Sequence, residues 1–322
     1  MSHADILAAG LVCPAGTSLD SSSAAFARGE RFLRQQRDMI GPDGFPVSLA
    51  MVDELAGRHD SYNRILILLD WAMQECLEQL DRQGVGAPAP LTLLLNPMLR
   101  QPGAEAWFSG AIRDYYGDRF SEIAVRFGGS AAGLSLLAAA PGPLHFVACA
   151  DSLVTPEMID ALIMDDRLNR SGNPWGVIPG EGAVVLALGQ GDAPAGRLRA
   201  VAVSHETVMP ADENRAALGR ALGAAMRDAL GDRAPARLLS DLDGGRDATE
   251  EFGLAVMAAG PPVAALADRV QALAPQIGQP GIAAGLILAG LACRGQGAAL
   301  VCAADAPGAL RASAFIEPGE VA

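Results

Sequence analysis

Ser130 lies in Gly128-Gly129-Ser130-Ala131-Ala132-Gly133, a glycine-flanked run that opens a helical pattern reaching Ala140. A serine there has two readings. It is a favoured N-cap, with the glycines letting a helix and a strand approach closely. It is otherwise a nucleophile, which needs a base within hydrogen-bond reach. The bases on offer are His145, His205, Asp243 and Glu181, and spacing alone selects none of them. Glu181 raises a question of its own. It sits in Asn173–Leu188 (NPWGVIPGEGAVVLAL), where a Pro/Gly-rich turn leads into an unbroken apolar run. Such a run is the pattern of a buried strand. The acid at its start is either a surface group on the turn or a buried carboxylate with a fixed partner, because an uncompensated one is strongly destabilising.

The other polar residues read as structural. His3 and His59 are expected on the surface, Asp151 and Ser152 as caps of a helix beginning near Pro156, and Trp175 in the core or at a cavity mouth. Asp241 and Asp243 read as solvated loop acids, and Pro280 as a first-turn helix residue, where its missing N–H is harmless. The five cysteines are scattered, with no CxxC or Cys/His cluster, so neither a metal site nor a cofactor is expected. No lysine occurs anywhere, which excludes lysine-dependent chemistry. A net charge of −13 excludes nucleic acid as a partner. No apolar stretch approaches the ~20 residues of a membrane span, and the N-terminus lacks the pattern of a signal peptide. The expected location is cytoplasmic.

These residues need a scaffold, and the sequence describes one. Asp5–Val12 reads as a buried first strand, with Cys13-Pro14-Ala15-Gly16 turning out of it. Ser21–Arg37 reads as a helix carrying Arg28, Arg31, Arg34 and Arg37 as a basic stripe, either a solvated face or a docking surface for an acidic partner. Arg64–Leu80 is an amphipathic helix, Leu91–Leu95 a buried strand, Trp107–Tyr116 a helix and Ser121–Phe127 an alternating strand. Strands follow at Leu144–Ala150 and Ala183–Leu188. A second cycle places strands at Arg197–Ser204, Arg237–Leu242, Ala298–Ala303 and Arg311–Ile316. Its helices are Leu218–Leu230, Glu250–Ala259 and Gly278–Ala292, with Val263–Ala274 mixed. Strands alternating with helices mean a mainly parallel α/β architecture.

The Pro179-Gly180-Glu181-Gly182-Ala183 turn resembles the end of the first half of β-ketoacyl synthases, of the thiolase superfamily. Ala148-Cys149-Ala150-Asp151-Ser152-Leu153 and the helix after Thr155 extend the similarity. The resemblance implies a five-layer α-β-α-β-α sandwich of two similar halves, here residues 1–190 and 191–322. It also implies a cysteine nucleophile in an Ala-Cys-x-Ser-Gly motif, which falls on Gly129–Gly133 and puts Ser130 at the nucleophile position. The histidine of an Asn-x-His-Gly turn becomes Asp243, and that of Gly-His-x-x-Gly-Ala-Ala-Gly becomes Gln279. From residue 190 onward His205 is the single histidine, so the second-half histidine pair does not exist.

The expectation is therefore a degenerate ketosynthase without condensing chemistry, a pseudoenzyme of fatty acid or polyketide biosynthesis. It would act as a non-catalytic partner, similar to a chain-length factor, or as an acyltransferase or hydrolase using Ser130. The family's habit of pairing the strand before the nucleophile across a twofold axis implies a dimer, with itself or with a ketosynthase-like subunit, and an acyl carrier protein as a further partner.

Overall fold

The computed structural model describes residues 4–57, 60–139, 143–191, 194–207, 218–305 and 309–319; His3 and His59 lie outside them. The first half contributes strands β1 (Asp5–Val12), β4 (Ala89–Leu95), β5 (Phe120–Phe127), β6 (Leu144–Ser152) and β7 (Glu181–Gly189), with a hairpin of β2 (Arg34–Ile40) and β3 (Pro46–Leu49) outside the main sheet. The second contributes β8 (Gly196–His205), β9 (Arg237–Ser240), β10 (Gln271–Ala272), β11 (Ala299–Ala304) and β12 (Leu310–Pro318). The helices are α1 (Leu19–Ala27), α2 (Ser61–Arg82), α3 (Ala104–Tyr116), α4 (Ser130–Ser135), α5 (Pro156–Met164), α6 (Arg220–Leu230), α7 (Arg246–Ala259), the one-turn α8 (Pro261–Ala264) and α9 (Ala274–Ile277), and α10 (Ala284–Ala292).

The strands run β10-β9-β11-β12-β8-β1-β7-β6-β4-β5, and the order reads the same from either end toward the middle. Within each half the second strand pairs parallel with the third and fourth, and the last pairs antiparallel with the fourth and first. Among the described strands the halves meet at one bridge, Ile6 to Gly196, and Pro179 and Gln279 form an isolated bridge between them. Because side chains alternate across a strand, each strand feeds two cores. Leu91, Leu93 and Leu95 of β4 pack outward with α2 and α3, while Leu94 packs inward with α4 and α10. The second half packs Leu239 and Val301 onto the same central helices, and Leu238 and Leu300 onto α6 and α7. The result is a five-layer α-β-α-β-α sandwich. Every residue of α10, AGLILAGLA, is buried, as an all-apolar central helix must be.

The edge of β1 turned away from β7 has that single bridge, and α2 supplies most of its remaining bonds. Gln83 Nε2 donates to Leu7 O, Gln79 bonds both Ala9 N–H and Ala9 O, and Glu75 accepts from Leu11 N–H. Four residues of helix rise about 6 Å and two of strand about 6.6 Å, so the two repeats stay in step over three bonds. Gln79→Leu leaves two backbone groups without partners and is expected to cost about 1–3 kcal/mol in urea unfolding. Gln79→Glu, which keeps the acceptor and loses the donor, is expected to fall between it and the wild type.

Ser21–Arg37 is not one helix. The helix α1 stops at Ala27, where Gly29 (φ 68°) donates to Phe26 O and Glu30 N–H reaches Ala25 O, a Schellman C-terminus that needs a left-handed residue. Arg28 then pairs with Glu30, and Arg34 pairs with Asp53. Arg31 falls in the connection, while Arg34 and Arg37 lie on the strand β2, Arg37 where its pairing with β3 shifts register between Gln36 and Ile40. The four arginines do not form a helical stripe.

Candidate functional site

The C-terminal ends of β4, β5, β6, β9 and β11 converge, and the residues just beyond them build the site. Ser130, 7% exposed, starts α4 directly after Gly128-Gly129. Its Oγ accepts from Gly285 N–H of α10 at 2.9 Å, and its hydroxyl donates to the Asp241 carboxylate. A Cβ at position 285 would lie 2.7 Å from Ser130 O, so α10 reaches this distance only as glycine. Asp241 follows β9 and also accepts from Ala304 N–H at 3.1 Å.

Ser130 does not cap its own helix. That role belongs to Asp305, which follows β11 and which the sequence reading passed over. Its Oδ1 accepts from Ala131 N–H at 2.6 Å, and the N–H groups of Gly129 and Ala132 also bond the carboxylate. A Cβ on residue 129 would sit 2.3 Å from Asp305 Oδ1, so the carboxylate lies tight against the start of α4.

Asp241 and Asp243 differ from solvated loop acids. Burial, reinforced by the charges of Asp305 and Asp243, pushes the Asp241 carboxyl up to about 7, against the bonds from Ser130 and Ala304. Asp243 accepts from Gly245 N–H at 2.8 Å and stands 3.5 Å from the Arg167 guanidinium. Gln279 Nε2 donates to Asp241 O at 3.1 Å, and its buried Oε1 has no partner among the described residues. Ser130 and Gln279 thus meet at one residue, Asp241, and Asp243 is held two residues further along.

The raised Asp241 pKa sets a sign. Between its unfolded value near 3.9 and about 7, the folded protein holds a proton that the unfolded chain has released. Stability therefore falls as pH rises through that window. The wild type is expected to lose more unfolding free energy between pH 5 and 7.5 than Asp241→Asn, measured in urea at both pH values; equal losses would contradict the assignment.

The remaining candidates lie elsewhere. Glu181, with no exposure, is bound by Arg64 through Nε–Oε2 at 2.6 Å and Nη2–Oε1 at 2.7 Å, and accepts from Val52 N–H and Ser152 Oγ. Asp151 accepts from Asn96 Nδ2, Ser152 N–H and Ile282 N–H, each at 2.9 Å, and burial pushes its carboxyl up to about 6. Neither Asp151 nor Ser152 caps α5: Thr155 is the N-cap residue and Pro156 the first helical one. Asp151 instead holds the turn before α10, at Gly281. Pro280 precedes that turn rather than opening the helix. Trp175 is 57% exposed and not part of the core.

His145 bonds Thr92 Oγ1 at the N-terminal end of β6, five residues before Ala150. Ala150 is level with the end of β5, so about 16 Å of strand separates His145 from Ser130. His205 is exposed at the end of β8. Among the described residues no hydrogen bond joins either histidine to Ser130, and no group of three His, Cys, Asp or Glu side chains could hold a metal ion. No helix among them is long and apolar enough to cross a membrane. Cavities of about 270 Å³ beneath the hairpin and about 430 Å³ beside Trp71 do not reach Ser130.

No protein-family model matches the chain, and no curated protein matches it. Solved structures do. A type II polyketide synthase acyl-carrier protein in complex with its ketosynthase bound to the hexaketide matches with TM-score 0.74 and 13% identity over 98% of this chain and 99% of that one. The ishigamide ketosynthase/chain length factor matches with TM-score 0.70 and 18% identity over 98% and 99%. A ketosynthase in complex with its chain length factor from Xenorhabdus doucetiae matches with TM-score 0.69 and 14% identity over 98% of each chain. At these identities the likeness carries the architecture: the chain has the thiolase-like fold of ketosynthases and chain length factors.

Proposed function

We propose that the chain is a ketosynthase-like protein that does not condense acyl groups and works by binding. Its halves, residues 1–190 and 191–322, form one unit that serves as the non-catalytic partner of a ketosynthase-like subunit or of its own copy. An acyl carrier protein is the second contact. One observation carries this reading. The N–H groups at the start of α4, which would stabilise a thiolate or an oxyanion at position 130, are bonded to the Asp305 carboxylate. A second negative charge there would meet repulsion in place of donors. The solved relatives supply the partner classes, since they include a ketosynthase with its chain length factor and one with its carrier protein.

A second reading makes Ser130 the nucleophile of an acyltransferase or hydrolase. Asp241 favours it, being hydrogen-bonded to the hydroxyl with a carboxyl near 7, a value suited to a base at neutral pH. Against it, Ser130 Oγ already accepts from Gly285 and the nearest donors for an oxyanion are taken. Incubation with an acyl thioester, and separately with a serine-reactive phosphonate, followed by intact mass, separates the readings. The proposed function predicts no adduct; modification at Ser130 would establish the second reading.

A further inference from the structure

Two carboxylates cross between the halves. Asp151, at the end of β6 in the first half, accepts from Ile282 N–H in the turn that runs into α10 of the second. Asp305, just past β11 in the second half, accepts from Ala131 N–H at the start of α4 of the first. Each half thus sends an acid from the end of its fourth sheet strand to the start of the other half's central helix. What stands beside each acid differs. Asn96 and Asp241 hold matching places, each the first residue after the second sheet strand of its half. The Asn96 amide donates to Asp151 at 2.9 Å. Asp241 offers a carboxyl group instead, bonded to Ser130, the neighbour of Ala131, and to the N–H of Ala304, the neighbour of Asp305. Two acids therefore bracket residues 130 and 131, where the first half sets an amide against an acid.

We propose that the exchanged carboxylates clasp the two halves together, and that a proton on Asp241 holds the α4 clasp shut while the Asn96 amide holds the α10 clasp. The described groups that face Asp241 are polar or acidic. From α4 comes the Ser130 hydroxyl, from β11 Cys302 and the Ala304 N–H, and from the turn beyond it Asp305. Its own loop adds Asp243, and Gln279, before α10, donates to the Asp241 backbone oxygen. The arginines on either side are paired with other acids, Arg311 with Glu251 and Arg167 with Asp243. Loss of the proton sets two like charges against consecutive residues of α4, and burial keeps water from screening them. The first half avoids this, because an amide carries no charge at any pH and still donates to its acid.

The clasp goes beyond the proposed binding role and does not depend on it. Amide hydrogen exchange read by mass compares the two helix starts, residues 129–135 and 281–287, as protection factors at pH 6 and pH 8. Opening of the α4 start returns Asp241 from about 7 to the ordinary ~3.9 of a solvated carboxyl. Such an opening is expected about tenfold more often at pH 8 than at pH 6, since the closed form gives up its proton in that interval. Asp151, pushed up to about 6, gives only about a twofold change at the Ile282 turn. Asp241→Asn, which copies Asn96, is expected to flatten the response at α4 to within about twofold. Asn96→Asp, which copies Asp241, is expected to carry the larger response over to the Ile282 turn. The proposal is overturned by equal responses at the two helix starts of the wild type. It is also overturned by a response at α4 that survives Asp241→Asn, or by a change spread evenly over all amides, which marks global unfolding.

Discussion

Replacing Arg64 with methionine is expected to destabilise the protein by about 3–5 kcal/mol. Arg64 is 2% exposed and Glu181 has no exposure, so neither charge is solvated and each depends on the other. The guanidinium meets both carboxylate oxygens and also donates to Leu55 O at 2.7 Å. Without it, Glu181 keeps the Val52 N–H and the Ser152 hydroxyl but no opposing charge, and an unpaired buried ion is far less tolerable than an absent one. The double variant Arg64→Met/Glu181→Met is therefore expected to be closer to the wild type than Arg64→Met alone. A double-mutant cycle in urea reads the coupling directly. A cost below about 1 kcal/mol for the single variant would show that water reaches the pair.

The second large effect concerns Ser130, where we propose the nucleophile has been lost. A thiol placed there by Ser130→Cys stands at a helix start, where free N–H groups would lower its pKa. Those groups are occupied by Asp305, whose own burial pushes its carboxyl up. The introduced thiol is expected to titrate at or above the ordinary value near 8.5. Adding Asp305→Asn removes the competing charge, and alkylation by iodoacetamide at pH 7 is expected to become about tenfold faster. Burial raises the pKa of all five native thiols, which leaves the new one as the reporter. A fast, low-pKa thiol in Ser130→Cys alone would show that Asp305 does not hold the helix start.

The large elements were legible because their signals are local and long. The apolar runs of β1, β4, β6 and β7 and the periodic face of α2 leave one reading each. The Arg28–Arg37 stretch misled because three-residue spacing imitates a helix, while Gly29 alone marks the stop. β10, two residues long, carries no pattern at all. The site was half legible. The motif resemblance pointed to positions 130, 243 and 279, but Asp305 sits 174 residues from the N–H it caps, and no local spacing announces such a contact. The same distance hid Arg64, 117 residues before Glu181. The polar stripe Glu75, Gln79, Gln83 was visible at four-residue spacing, yet its target, the edge of β1, emerges only when the strand order is known.

The central proposal is that this chain binds and does not condense. The most direct measurement incubates the wild type and Ser130→Cys with an acyl thioester and a malonyl thioester, and follows the extended β-ketoacyl product by mass. On our proposal that Asp243 and Gln279 stand where ketosynthases carry their histidines, a carboxylate has the wrong sign to stabilise an enolate oxygen, and an amide is no base near neutral pH. The account predicts no extended product from either protein, even if the introduced cysteine becomes acylated. Extended product from either one would contradict it and place the active site elsewhere.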